Sequence, residues 1–180
     1  MRELALHILD LIENAITAGA DVISVSVDED PMKDLLTLAV EDNGPGLPGT
    51  PEQAVDPFYT TKEGKKTGLG LSMLKFRAEQ AEGRFCLERS PLGGVAVRAS
   101  LSLSHVDRSP LGDLAATLAS VVCTNPGIEL RARLRVGARE WAVSSADLAR
   151  TLEGARSGIA MARRMRERVA EGLAALRVTG

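Results

Sequence analysis

Apolar residues recur at helical spacing near the start of the chain, where Leu4, Ile8, Leu11, Ile12 and Ala15 fall on one stripe of a helix over 3–18. His7, Asp10, Asn14 and Thr17 make a second, polar stripe, because positions three and seven apart superimpose on a helix. After Gly19 the period shortens to two. VISVSV at 22–27 and LLTLAVED at 35–42 read as strands, joined by the hairpin loop DEDPMKD. Residues 48–67, rich in Pro, Gly, Thr and Lys, read as irregular. A helix from about 70 to 82 and strands at 84–90 and 94–103 complete a layer of helices on a sheet.

Beyond residue 104 the pattern changes character. LSHVDRSPLGD reads as a connector, and SPLGDLAATLASVV as a helix capped by Ser109 with Pro110 at its first position. IELRARLRV alternates apolar and Arg residues like a half-exposed strand, and Gly137 turns it into REWAVS. Ser144 or Ser145 caps a helix through about 153. A last helix over roughly 158–176 sets Arg163, Arg164, Arg166 and Arg168 beside Met161, Met165, Val169, Leu173 and Leu176.

Charge supports a boundary between these regions. Residues 1–104 hold 10 Lys/Arg and 16 Asp/Glu, a net −6; residues 105–180 hold 12 Arg and 8 Asp/Glu, a net +4, which together give the −2 of the chain. All five lysines lie in the first region. At 180 residues with 44% hydrophobic residues the chain can fill a core. No apolar run reaches about 18 residues, so no membrane span is expected. The N-terminal segment lacks the basic lead-in and cleavage site of a signal peptide, so a cytoplasmic location is expected. Cys86 and Cys123 have no CxxC or Cys/His spacing and read as ordinary thiols.

Three separated segments carry candidate chemistry: HILDLIENAITAGA, DNGPGL and PFYTTKEGKKTGLGLS. Asn14 can offer a side-chain carbonyl to a hard divalent metal such as magnesium, which prefers oxygen ligands and keeps several waters. Asp42 ends an apolar strand and can accept a hydrogen bond from the amino group of adenine. Gly44, Gly46, Gly68 and Gly70 let backbone approach a ligand. Thr60, Thr61, Lys62, Lys65, Lys66 and Thr67 supply hydroxyls and positive charge just before Gly68, Leu69 and Gly70, where amides at a helix start can cradle phosphates. GPGLPG matches a dinucleotide fingerprint, but Pro48 and Pro51 interrupt the helix that fingerprint needs. GKKT resembles a P-loop ending, yet Tyr59 occupies the position of the required upstream glycine.

The order and spacing of the three segments over residues 1–104 resemble the ATP-binding domain shared by DNA gyrase, the ninety-kilodalton heat-shock chaperones, histidine kinases and mismatch-repair ATPases, the GHKL or Bergerat-fold superfamily, with the histidine-kinase branch nearest. The resemblance implies an α+β two-layer sandwich, a mixed sheet covered by helices on one face, with residues 105–180 as a small α+β appendage. It makes Asp10–Asn14 the N box, Asp42–Leu47 the first glycine box, and Pro57–Ser72 the F box, ATP lid and second glycine box. In the ATP-hydrolysing branches a carboxylate at this position activates the attacking water, so the resemblance offers Asp10, one methylene shorter than the Glu usual there, as general base. The alternative is that Asp10 only orients a metal-bound water or hydrogen-bonds the lid. Thr17 stands where histidine kinases often have a basic residue. Neither His7, with six residues before it, nor His105 sits in the context of the family's phosphoacceptor histidine, and the N-terminal edge of the family's sheet is truncated.

ATP and magnesium are therefore the expected ligands, and two functions are open. One is enzymatic: ATP hydrolysis, or phosphorylation of a separate protein in trans, as anti-sigma-factor kinases of this superfamily do. The other is a non-catalytic module in which ATP orders the lid and gates a protein-binding surface. The Arg-rich final helix is expected to meet a protein partner or the acidic first region. Without aromatic stacking residues, nucleic acid is not the expected partner. A homodimer is left open.

Overall fold

The computed structural model describes residues 3–47, 49–55, 69–151 and 157–177. The polar lid segment at 56–68 lies outside them. Helix α1 spans Leu4–Thr17, strand β1 Val22–Asp30 and strand β2 Leu35–Asp42; a short helix α2 spans Pro51–Val55 and α3 Leu69–Gln80; strands β3 and β4 span Arg84–Arg89 and Val95–Ser102. Helix α4 (Leu114–Thr124), strands β5 (Glu129–Val136) and β6 (Arg139–Ser144), and helices α5 (Ser145–Thr151) and α6 (Gly158–Arg177) follow. The six strands form one sheet in the order β3-β4-β2-β1-β5-β6. Among the described residues only the β1–β5 pair is parallel, so the sheet is mixed and the fold is α+β.

The alternation in the strands separates the two faces. Ile23, Val25 and Val27 of β1, Leu36, Leu38 and Val40 of β2, and Leu130, Ala132 and Leu134 of β5 are buried in one core with Leu4, Ile8, Leu11 and Ile12 of α1. Leu114 and Leu118 of α4, with Met165 and Val169 of α6, belong to the same core. On the opposite face, side chains from all six strands form an ion-pair lattice. Arg98 joins Glu41 (2.5 Å) and Glu88 (3.1 Å), while Asp28 takes both Arg133 and Arg135 at 3.1 Å. These partners are largely half-exposed, where each pair is worth only about 0–1 kcal/mol. The lattice therefore does more to keep that face wet than to stabilise the fold.

The region after residue 104 shares this sheet and core. β5 lies in register with β1 from Val22↔Glu129 to Glu29↔Val136, filling the edge on the N-terminal side of the sheet. Its connector also completes α1. Glu3 gives α1 no side-chain cap; instead the carbonyls of Pro110 and Leu111 accept the Leu4 (2.9 Å) and Ala5 (2.8 Å) amides. These two donors have no partner inside the helix, and leaving them buried and unmet would be costly.

Several boundaries differ from the sequence reading for identifiable reasons. α4 begins at Leu114, not at Ser109–Pro110, because Pro110 and Leu111 are engaged with α1 and Gly112 sits at φ +77°. Asp113 Oδ1 accepts the Ala116 amide (2.8 Å) and is the true cap. β1 runs to Asp30 rather than ending at 27, since Asp28–Asp30 pair with Leu35–Thr37 and shorten the hairpin loop. α2 interrupts the stretch read as irregular. Thr50 Oγ1 accepts the Gln53 amide, Gln53 Oε1 accepts the Thr50 amide, and Pro51 opens the helix: a capping box visible in the sequence but not recognised there. α5 is described over Ser145–Thr151, and the expected end of that helix near 153 lies outside the described residues.

The arginine face of α6 is mostly consumed at home. Arg163 and Arg164 pair with Glu167, Arg168 with Glu171, and Arg166 with Asp113, the cap of α4. Arg168 also lies 5.9 Å from the Trp141 ring centroid. Gly172 lets that ring approach, because a Cβ there would stand 2.6 Å from Trp141 Cε3. Alanine is the better helix former, by about 0.5–1 kcal/mol, yet Gly172→Ala is expected to destabilise by about 1–3 kcal/mol because the overpacked contact dominates. Trp141 is the sole tryptophan, so its fluorescence and the melting temperature check this together; a raised melting temperature would refute the contact.

Candidate functional site

The polar stripe of α1 crosses from core to surface. His7 is 1% exposed, Asp10 and Asn14 are half-buried, and Thr17 is exposed with its hydroxyl donating to the Glu13 carbonyl (2.6 Å). Gly19, at φ +96°, ends the helix and turns the chain through Ala20 into β1. The start of α3 rests on the same stripe. A Cβ at Gly70 would lie 3.6 Å from Asp10 Cβ and 3.8 Å from both Asp10 Oδ2 and Asn14 Nδ2. Three residues singled out separately in the sequence thus meet where the first turn of α3 presents backbone amides, an arrangement suited to anions.

A second cluster forms at the end of β2. Asp42 is 7% exposed, and its Oδ1 accepts the amides of Gly44 (2.8 Å) and Val95 (3.2 Å). Gly44 packs beside Ala20, the residue that follows the α1 turn, with a Cβ there 3.6 Å from Ala20 Cβ. That contact joins the glycine loop to the C-terminal end of the helix bearing Asp10 and Asn14. Gly46 adopts φ +91°, which glycine takes without strain.

Asn43 has a structural task. Its Oδ1 accepts the Asp21 and Val22 amides, its Nδ2 donates to Asp21 Oδ1 (2.6 Å), and its own amide donates to the Val22 carbonyl. It latches the glycine loop to the start of β1. Val95, 53 residues beyond Asp42 at the start of β4, and Gly94 just before it were not singled out in the sequence. Two adjacent glycines, Gly93 and Gly94, ahead of the strand VAV were the available signal. Thr60, Thr61, Lys62, Lys65, Lys66, Thr67 and Gly68 lie outside the described residues, as does the side chain of Leu69. Among the described residues no group of three His, Cys, Asp or Glu side chains could hold a metal, and no helix is long and apolar enough to cross a membrane.

Residues 2–105 match the family described as Histidine kinase-, DNA gyrase B-, and HSP90-like ATPase. The chain belongs to this family. It carries a histidine-kinase-like ATP-binding domain, in which the Asp10–Asn14 and Asp42–Gly46 clusters fall within the matched segment. Over 92 residues it is 37% identical to the sensor histidine kinase CpxA of Escherichia coli (strain K12), an overlap covering 48% of this chain and 20% of CpxA. Over 90 residues it is 33% identical to the sensor protein CitS of Halalkalibacterium halodurans, covering 47% of this chain and 17% of CitS. The chain thus spans about a fifth of these relatives. A crystal structure of the N-terminal domain of a DNA repair protein aligns with 98% of this chain and 59% of that one, at TM-score 0.52 and 15% identity. That likeness concerns the fold, and it extends over the strands and helices after residue 105.

Proposed function

We propose that the protein binds ATP with magnesium and transfers the terminal phosphoryl group, either to water or to a separate protein. The observation that carries this reading is the meeting of Gly70, Asp10 and Asn14 at the start of α3. Asn14 would offer its side-chain oxygen to magnesium, whose hard-oxygen preference that amide meets. Bound there, the ion would offset repulsion among the phosphates and the charge that develops during transfer. The α3 amides would receive phosphate oxygens, and the lid residues Lys62, Lys65 and Lys66 would add positive charge. Asp10, one helical turn from Asn14 and on the same face, would accept the proton of the attacking water or hydroxyl. Asp42 would accept the adenine amino hydrogen.

Transfer to a second protein is favoured over transfer to His7, because a side chain of α1 that is only 1% exposed is not presented to a phosphoryl donor. A cytoplasmic setting fits ATP as ligand. The competing reading, a nucleotide-gated binding module without turnover, draws on Thr17: its hydroxyl is bonded back to Glu13, so α1 supplies no cation there for the phosphates. Asp10→Asn separates the two. In the full chain it is expected to leave ATP affinity within about threefold while lowering release or transfer of labelled γ-phosphate by about 10²–10⁴-fold, the usual scale of general base catalysis. Equal turnover in both proteins would remove Asp10 from the chemistry, and no turnover in either would favour the module.

A further inference from the structure

We propose that Gly94 and the Val95 amide are specificity-determining positioning elements that make the site reject guanine, by holding Asp42 so that only one carboxylate oxygen can meet a base. The inference rests on the reading of Asp42 as the carboxylate that contacts adenine, and it concerns how that contact is kept exclusive.

The geometry begins in the sheet. β2 and β4 are paired with Glu41 opposite Ala96, which brings Gly94 and Val95 alongside Asp42. The Gly94 amide donates to the Asp42 carbonyl (3.0 Å) and the Val95 amide to Asp42 Oδ1 (3.2 Å). Gly44 donates to the same Oδ1 from the other side (2.8 Å). Among the described residues both hydrogen bonds to this carboxylate converge on Oδ1. Two amides occupy the two lone pairs of one sp² oxygen and fix the side-chain torsion. Oδ2 is then the oxygen left for a ligand.

The turn before β4 holds these donors in place. Ser90, 4% exposed, donates its amide to the Gly94 carbonyl (2.9 Å), accepts the Gly93 amide on its own carbonyl, and accepts the Leu92 amide on its hydroxyl (3.0 Å). Gly93 sits at φ +114°. At Gly94 the constraint is steric: a Cβ would collide with Asp42 Oδ1 and fall 2.6 Å from the Gly44 amide nitrogen and 2.8 Å from the Asp42 carbonyl oxygen. Any side chain there would displace the carboxylate from both donors.

Adenine presents one donor group, its 6-amino, beside the acceptor N1. Guanine presents N1–H and its 2-amino group side by side, and a carboxylate meets that pair best through both oxygens. With Oδ1 already saturated and turned into the protein, one guanine donor would be buried without a partner, which is how polar sites discriminate strongly. Freed from the clamp, the carboxylate could rotate to engage both donors.

The test uses the full chain and competition between a fluorescent ATP analogue and unlabelled ATP or GTP. In one variant Val95 is replaced by its α-hydroxy acid, so an ester oxygen stands where the N–H was while the side chain is unchanged. The second variant is Gly94→Ala. The preference for ATP over GTP is expected to fall by about tenfold in each, the effect of losing one hydrogen bond to a charged group. An unchanged preference in the ester variant, with Asp42→Asn abolishing ATP binding, would overturn the clamp and leave the nucleotide site standing. If Asp42→Asn itself leaves ATP binding intact, the underlying reading falls and the clamp with it. Should Gly94→Ala not fold, the ester variant decides alone.

Discussion

A chain ending at Ser104 is expected not to fold, although it retains every residue of the candidate nucleotide site. Of the 31 described residues in the hydrophobic core, 13 lie between Leu111 and Leu176, and 11 of those are Leu, Val or Met. Each such side chain contributes about 1.5–3 kcal/mol when buried. Exposing the surfaces they cover therefore exceeds the roughly 5–15 kcal/mol that holds a domain together. The loss is also local to the site. Without the Pro110 and Leu111 carbonyls the first amides of α1 are unmet, and without β5 the central strand β1 becomes an open edge prone to pairing with other chains. Circular dichroism melts and amide NMR dispersion on residues 1–104 check this. A cooperative melt near that of the full chain, with ATP affinity retained, would show that the later strands and helices are dispensable.

Asn14→Ala is expected to erase the magnesium dependence of nucleotide binding. Wild-type protein should bind ATP more tightly with magnesium than with chelator, and the variant should bind equally in both, a loss on the order of 10–100-fold, the scale measured when metal-site support is removed. The fold should survive, since Asn14 is half-buried on α1 and alanine favours helix. Calorimetric titration of both proteins, with and without magnesium, measures the difference directly. A variant that keeps its magnesium dependence would move the metal away from α1 and end the assignment of this helix face.

What the sequence made legible was mostly local. The apolar stripe Leu4, Ile8, Leu11, Ile12 and Ala15 is buried as its spacing requires, and Asp42 stands at the end of β2 where alternation put it. Asp10, Asn14 and Gly70, singled out by residue type and spacing, lie together in the fold. The misreadings have tertiary causes. Asp28–Asp30 looks like an acidic loop, yet it is strand because its backbone pairs with Leu35–Thr37 of β2 and, at Asp28 and Glu29, with Arg135 and Val136 of β5, 107 residues away. Ser109–Pro110 looks like a helix start, yet the Pro110 carbonyl, with that of Leu111, serves the amides of α1. The Val95 contact with Asp42 depends on strand register, which no local pattern specifies.

The parallel pairing of β1 with β5 also sets an order of events in synthesis. Asp28 and its partner Arg135 are 107 residues apart in sequence. At about 5–20 residues per second, roughly 5–20 s separate their arrival from the ribosome. During that interval α1, β1 and β2 are complete while the neighbour of β1 has yet to be made. Pairing between strands so distant in sequence is slow to form, and the nucleotide site cannot reach its final form before β5 has been made. Until then the waiting edge of β1 is open to pairing with other chains, and it is the point at which a chaperone would be most useful.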